Sequence, residues 1–417
     1  MNKTKLLKFK NIIPSVEIPS VEIPAVEIPS VEIPSVEIPA VEIPSVENNQ
    51  IVINYSNKNL KELKLICKEK KINGYSNKTK KEIINLLNSH LEELHQIILE
   101  NENKLKMIDL FSGTGAFTYA FENTKKVKCI FANDISESSK TIYDENFNHK
   151  LTLKDLNNIK VNEIPSHDIL TGGFPCQPFS IAGNQAGFQD TRSNVFWKIL
   201  EIIDYHKPKC IILENVKNLT SHDDGKTFKI IKKNLEDRGY FIRYKILDTS
   251  EITGIPQHRE RIYIVCIKSK TIYDKFNLDF NKKEKAKIST ILEPIENIKE
   301  KYYYNNTSST WNLLSENVKK KETIYQYIRV YVRENKSSEC PTLTANMGTG
   351  GHNVPIILDD KGIRKLTPRE CFNFQGFPST YKLPLISDSQ LYKLAGNAVS
   401  VPIVKLIADR LISLFYD

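Results

Sequence analysis

Met107-Ile108-Asp109-Leu110-Phe111-Ser112-Gly113-Thr114-Gly115-Ala116-Phe117 is the stretch whose reading decides the fold. An apolar, strand-like run ends in a turn of small residues and resumes as the start of a helix. Glycine in such a turn lets backbone N–H groups approach a ligand closely. Working outward, strand-like runs recur at 128–133, 168–171, 210–214, 241–247 and 261–267, with helical stretches between most of them. This alternation predicts an α/β fold built on a doubly wound, Rossmann-like and mainly parallel sheet. Past Lys268 the regularity fails. Residues 270–360 are polar, aromatic and basic, and a second, smaller domain is the economical expectation.

The turn is an incomplete dinucleotide fingerprint, because Thr118 stands where a third glycine would. Binding of a pyrophosphate is therefore not demanded. The next strand ends in Asn133-Asp134, and a carboxylate at that point of such a sheet commonly accepts hydrogen bonds from a ribose diol. A ribose without a required pyrophosphate suggests S-adenosylmethionine, with Asp155 a candidate partner of the adenine amino group.

A second informative stretch is Gly172-Gly173-Phe174-Pro175-Cys176-Gln177-Pro178-Phe179-Ser180, a cysteine between prolines and glycines just after a strand. A rigid loop at a strand end presents a thiol as a nucleophile. On the loop alone, a buried structural cysteine is the competing reading.

Composition narrows the class. The chain has 417 residues and a net charge of +9. Residues 1–50 carry four Lys against seven Glu, which leaves the remainder at +12, a balance suited to a polyanionic partner. No run of about 18 apolar residues is present to span a bilayer. The Lys-rich amino terminus also lacks the apolar core of a secretion signal. A cytoplasmic, DNA-associated location is expected. Seven cysteines without a Cys-x-x-Cys pair fit neither a disulfide framework nor a zinc ribbon, and no metal is expected.

Residues 14–47 repeat a pentad, Pro-Ser-Val-Glu-Ile with Ala sometimes replacing Ser. Proline at every fifth position excludes a helix or a central strand, so residues 1–50 read as an extended low-complexity tail. At 57–89 two short helices share an apolar side through Leu60, Leu63, Ile66, Cys67, Ile83, Ile84 and Leu87, followed by a polar helical connector at 88–103. Through Leu63, Cys67, Gly74-Tyr75-Ser76 and Lys80-Lys81-Glu82-Ile83 this segment resembles a SAP motif, a module of DNA-associated proteins. Nine Lys against three Glu between Lys58 and Glu82 suit contact with phosphates, while a solvated helical linker is the alternative.

Six pieces occur in one order: Asp109 to Gly115, Gly173 to Ser180, Glu214-Asn215-Val216, Gln257-His258-Arg259-Glu260-Arg261, Arg364 to Glu370 and Gly396-Asn397-Ala398-Val399. Together they resemble the DNA cytosine-5 methyltransferases from Met107 onward. The resemblance implies a catalytic and cofactor-binding domain at 104–270, completed by 385–417, with a target-recognition domain at 271–384. It implies double-stranded DNA as substrate, S-adenosylmethionine as cofactor and the possibility of a cognate restriction endonuclease. Cys176 would add to cytosine C6, Glu214 would donate to N3, Arg261 would lie near O2, and Arg259 close to the catalytic cluster. On the residues alone, Arg259 and Arg261 could equally be an edge-strand pair gripping carboxylates.

Phe111, Ser112, Gly113, Gly115, Asp134, Ile135, Asp155, Pro175, Val195 and Asn397 would line the cofactor pocket. Gln177, Arg192, Arg329, Arg333, Asn346 and Gly350 are the candidates for contact with DNA, the cytosine being swung out of the helix. An RNA cytosine-5 methyltransferase and a catalytically silent DNA-binding protein are the competing functions. Ser180, the basic recognition region and the intact catalytic residues argue against both.

Overall fold

The computed structural model describes residues 45–47, 50–52, 55–175, 195–328, 330–348 and 354–416. Two compact units divide at His95. The first holds the antiparallel pair β1 (Ser45–Glu47) and β2 (Gln50–Val52), helix α1 (Leu60–Glu69) and the start of α2 (Lys80–Glu102). Ser45–Glu47 is the only described part of the pentad repeat.

Helix α1 begins with a capping box. Glu62 N donates to Asn59 Oδ1 at 3.0 Å and Asn59 N to Glu62 Oε2 at 2.7 Å. Thr79 and Glu82 repeat the device at α2. Leu63, Cys67, Ile72, Ile83 and Leu87 close around Tyr55 as a small core, whereas Leu60 faces out. The short second helix and its connector are one 23-residue helix, because residues 88–102 hold helix formers and neither Gly nor Pro to stop it.

The second unit is an α/β sandwich. In chain order it runs β3 (Leu105–Leu110), α3 (Ala116–Glu122), β4 (Val127–Asp134), α4 (Glu137–Asn146), β5 (Thr152–Leu153), β6 (Ile169–Gly173), α5 (Val195–His206), β7 (Cys210–Val216), α6 (Lys226–Glu236), β8 (Phe241–Asp248), α7 (Thr249–Thr253) and β9 (Glu260–Ile267). The sheet order is β5-β4-β3-β6-β7-β9-β8, parallel except for β9, which pairs antiparallel with both β7 and β8. The expected doubly wound sheet is therefore present. Strand β5, two residues long, leaves no periodic signal in the sequence.

Alternate side chains of the strands feed two cores, so the sheet is covered on both faces. Ile211 and Leu213 of β7 and Ile262, Ile264 and Cys266 of β9 pack with Phe196, Ile199, Phe228 and Ile231 of α5 and α6. Tyr263, Val265 and Ile267 join the opposite core, which contains α3 and residues of the helix that follows Ser400. The chain continues through α8 (Lys270–Lys275) and α9 (Trp311–Asn317) to a four-stranded antiparallel sheet, order β11-β10-β12-β13. Its strands are β10 (Ile324–Ile328), β11 (Tyr331–Asn335), β12 (Ile356–Leu358) and β13 (Ile363–Lys365). Helices α10 (Pro368–Phe374), α11 (Asp388–Asn397) and α12 (Val401–Tyr416) complete the fold. Helix α12 lies against α3 through Ile403, Val404 and Ile407, and the Tyr416 hydroxyl sits 3.0 Å from the carbonyl oxygens of both Asn103 and Lys126.

Candidate active site

A cavity of about 440 Å³ opens where the parallel strands end, the place at which open α/β sheets bind ligands. Four strand ends contribute to it: Phe111 to Thr114 after β3, Asp134 at the end of β4, Gly173 to Pro175 at the end of β6, and Glu214 to Val216 at the end of β7. Arg259 and Arg261 reach the same cavity because β9 runs the opposite way and begins there. Lys393, Gly396, Asn397 and Val399 from the end of α11 and just beyond close the remaining side.

The turn after β3 is held rigidly. Phe111 adopts φ 54°, a left-handed conformation costly for a side-chain-bearing residue, and Ser112 N donates to Asn133 O at 2.9 Å. Gly113 N donates to Asp134 Oδ2 at 2.9 Å, while Ser136 N donates to Asp134 Oδ1 at 2.9 Å. Both carboxylate oxygens are thus oriented by backbone N–H groups and keep lone pairs for a ligand. Glycine is required at Gly115 twice over, by φ 69° and by Phe147, whose ring would lie 2.3 Å from a Cβ.

Asp109 lies beneath this turn, fully buried. Thr171 Oγ1 donates to Asp109 Oδ1 at 2.8 Å and Thr118 Oγ1 to Oδ2 at 2.9 Å. The chain of contacts extends from Thr118 to the Tyr143 hydroxyl at 2.9 Å and on to His149 Nε2 at 2.7 Å. Burial pushes the Asp109 carboxyl up to about 7, against the lowering effect of the two threonines.

Glu214 stands opposite Gly173 in the β6–β7 register and meets Arg261 Nε at 3.2 Å through Oε1. Burial raises its pKa, and the guanidinium groups of Arg261 and Arg259 oppose that rise without cancelling it. Asn215 Nδ2 donates to Phe174 O at 2.9 Å and so fixes the backbone two residues before Cys176. Arg259 is spent on the protein itself. Its guanidinium donates to Leu343 O at 3.0 Å, Gly396 O at 3.2 Å and Ala398 O at 2.7 Å. Arg261 thus grips a carboxylate, whereas Arg259 ties three backbone carbonyls together.

Of the expected cofactor residues, the cavity brings together Phe111, Ser112, Gly113, Asp134, Pro175 and Asn397. Gly115 shapes the turn from behind. Asp155 is exposed and caps a short 3-10 turn, accepting from Asn157 N at 2.9 Å, and Ile135 is also exposed; neither lines the cavity, and nor does Val195. Arg333 and Asn346 are exposed and lie outside the lining. Cys176, Gln177, Arg192, Arg329 and Gly350 fall outside the described residues. The site contains residues that sequence reasoning gave no role: Asn215, Lys393 and the serines Ser136, Ser138 and Ser139. Asn215 was visible only as the middle of Glu214-Asn215-Val216. Among the described residues no group of His, Cys, Asp and Glu could hold a metal, and no helix is long and apolar enough to cross a membrane.

Residues 105–413 match the model of the C-5 cytosine-specific DNA methylase family. The type II methyltransferase M.Bsp6I of Bacillus sp. (strain RFL6) is 45% identical over 309 residues, covering 74% of this chain and 98% of that protein. The type II methyltransferase M.HaeII of Haemophilus aegyptius is 38% identical, covering 74% and 93%. Among solved structures, the Entamoeba histolytica methyltransferase EhMeth superposes with a TM-score of 0.59 at 23% identity, covering 74% of this chain and 98% of its own. The S. pombe Dnmt2 methyltransferase does so with 0.59 at 23%, covering 75% and 99%; both share the fold. With its site at the strand ends and a match across three quarters of its length, the chain belongs to the C-5 cytosine-specific DNA methylase family.

Proposed function

We propose that the protein transfers a methyl group from S-adenosylmethionine to C5 of a cytosine flipped out of a short specific DNA sequence, through a covalent Cys176–C6 adduct. The observation that carries the reading is the buried Glu214–Arg261 pair, which shares one cavity with the oriented Asp134 carboxylate and with Pro175, the residue before Cys176. The cavity fits the cofactor: its volume lies in the range of small-molecule sites, and Asp134 can accept from a ribose beside the Phe111 ring. When bound there, S-adenosylmethionine supplies an electrophilic methyl group on a sulfonium.

Each residue then has a task. The Cys176 thiolate adds its electron pair to C6, and Glu214, whose pKa burial raises, gives a proton to N3, so C5 becomes enamine-like and nucleophilic. Arg261 stabilises the electron density that develops on O2. After C5 has taken the methyl group, its proton passes to solvent water, the electrons return to the ring and expel the thiolate, and N3 gives its proton back to Glu214. Arg259 and Asn215 are positioning residues: one fastens 343 to 396–398, the other fastens Phe174. Phe111, Ser112, Gly113, Asp134, Pro175 and Asn397 are the cavity-lining part of the proposed cofactor set, Gly115 shapes their turn, Ile135, Asp155 and Val195 belong to it by the family resemblance alone, and residues 104–270 and 385–417 are the proposed catalytic domain.

Residues 271–384, with Arg329, Arg333, Asn346 and Gly350, would read the target, and Gln177 and Arg192 would hold the opened DNA. The 57–89 hairpin would add phosphate contacts. Its nine Lys against three Glu leave a surplus of six positive charges. The relatives' names support a restriction-modification setting, with a cognate endonuclease sharing the sequence.

The test is bisulfite sequencing of mixed-sequence duplex DNA after incubation with the protein and S-adenosylmethionine, beside Cys176→Ser. Protection at a recurrent motif, lost in the variant, is expected. Near-normal turnover by the variant would sink the covalent mechanism.

A further inference from the structure

The β10–β11 hairpin has two unlike faces. Directly opposed residues of an antiparallel pair share a face, so the register puts Tyr325, Tyr327, Val332 and Glu334 on one side. That side is packed: Tyr325, Tyr327 and Val332 join Leu314 and Val318 around α9. Gln326 and Arg333, opposed to each other, share the second side with the Ile328–Tyr331 pair toward the tip and the Ile324–Asn335 pair toward the base, where Ile324 is buried. This side opens to solvent toward the hairpin tip, where Tyr331 is 52% exposed and Val330 81%. The side chains of Gln326 and Arg333 make no hydrogen bond or ion pair with any described residue, and Glu334, the nearest carboxylate in sequence, points to the packed side and is held by Lys320 at 2.9 Å.

We infer that this face is the base-reading surface of the enzyme, with Arg333 and Gln326 the side chains that specify bases. The inference rests on the proposed function and deepens it. The major groove, about 12 Å wide, admits a two-stranded β-ribbon. Arg pairs bidentately with guanine, and Gln does the same with adenine. A cross-strand Gln–Arg pair whose side chains have no partner among the described residues therefore presents two reading groups side by side. The exposed Tyr331 and Val330 give the tip an apolar surface for thymine methyl groups or sugar edges.

The hairpin is also tied to the catalytic cluster. Beyond β11 a turn leads to Cys340, which pairs with Gln257 and accepts from His258 N at 2.9 Å, next to Arg259. Arg333 is seven residues from Cys340, a span of at most about 25 Å of extended chain. At about 3.4 Å per base step, that keeps it within reach of a short site around the target cytosine.

The experiment compares the wild-type full chain with Arg333→Ala, Gln326→Ala and Arg333→Lys on a randomised duplex library, read by bisulfite sequencing. S-adenosylmethionine binding is measured in parallel as the check on folding. Expected is a relaxed preference at one position for each Ala variant, with discrimination there falling about tenfold to a hundredfold and the other positions kept. Arg333→Lys, which keeps the charge without the fork, should relax the same position as Arg333→Ala. An unchanged motif, with methylation reduced evenly or lost in variants that still bind S-adenosylmethionine, would overturn the inference. If an Ala variant fails to bind the cofactor, the Arg333→Lys profile decides in its place. Absence of any methylation by the wild type would instead defeat the proposed function.

Discussion

Gly396 is where a single methyl group should do most harm. A Cβ built there would lie 2.1 Å from Thr344 O and 2.6 Å from Ala345 N, both backbone atoms that no rotamer change can move aside. An ordinary contact begins near 3.4 Å, so Gly396→Ala requires a displacement of about 1.3 Å between the 344 segment and the end of α11. Arg259 resists that displacement, because it bonds Leu343 O on one side and Gly396 O and Ala398 O on the other. Overpacking of this kind costs about 1–3 kcal/mol. For a unit of this size that lowers the melting temperature by very roughly 2–10 °C. The functional loss should be larger. Asn397, Ala398 and Val399 line the cavity, and a misplacement of about 1 Å can cost a hundredfold in rate. Calorimetric titration with S-adenosylmethionine and single-turnover methylation measure the two effects. Affinity and rate both within twofold of the wild type would refute the reasoning, because the backbone contact would then be absorbed without moving the site.

Asn215→Ala removes the donor that holds Phe174 O, leaving a buried carbonyl unpaired at a cost of about 1–3 kcal/mol. As Cys176 follows two residues later, kcat should fall by tenfold or more while cofactor affinity holds; loss of affinity with kcat unchanged would contradict a role in positioning the loop. Glu214→Gln keeps the shape but has no proton to deliver, and general acid catalysis is worth about 10²–10⁴-fold. The wild-type rate should decline on the alkaline side as Glu214 loses its proton, and that decline should be missing from the Gln variant's pH profile; its survival there would assign it to another group. Asp109→Asn tests burial of the carboxyl. Between about pH 4 and pH 7 the folded Asp109 keeps a proton that the unfolded chain has released, so stability falls as pH rises through that window and the contribution is gone above about 7. The Asn variant should melt with a flatter pH dependence and exceed the wild type at pH 8; an equal slope would mean that Asp109 is ionised throughout.

The sheet was legible because each of its longer strands is a local event: an apolar run with a turn residue at its end, as in Met107 to Gly113. Pairing is not local. Insertion of β9 between β7 and β8 depends on hydrogen bonds between segments far apart, and nothing in Arg261 to Ile267 announces its antiparallel direction. The same divide runs through the site. Asp134 could be named from its place at a strand end, and Glu214 from the ordered motifs that carry the family resemblance. The work of Asn215 depends on Phe174, 41 residues earlier, and the constraint on Gly396 comes from Thr344; no pattern within a short window records either contact. Arg259 was readable as a residue near the chemistry, but its three carbonyl partners belong to segments 84 to 139 residues further on.

The meeting of Tyr416 with Asn103 and Lys126 joins residues up to 313 apart, and α12 covers the face of α3 that the first strand and helix of the unit leave bare. A ribosome therefore exposes that apolar face throughout synthesis and can have it covered only after α12 has emerged. Closure of this unit should be slow, because it waits on contacts between segments far apart in the chain, and the uncovered face needs shielding from neighbours until then. The same proximity makes the unit a candidate for circular permutation: a short linker from Tyr416 to Asn103, with new ends opened in a surface loop, should leave the sheet and its cavity intact.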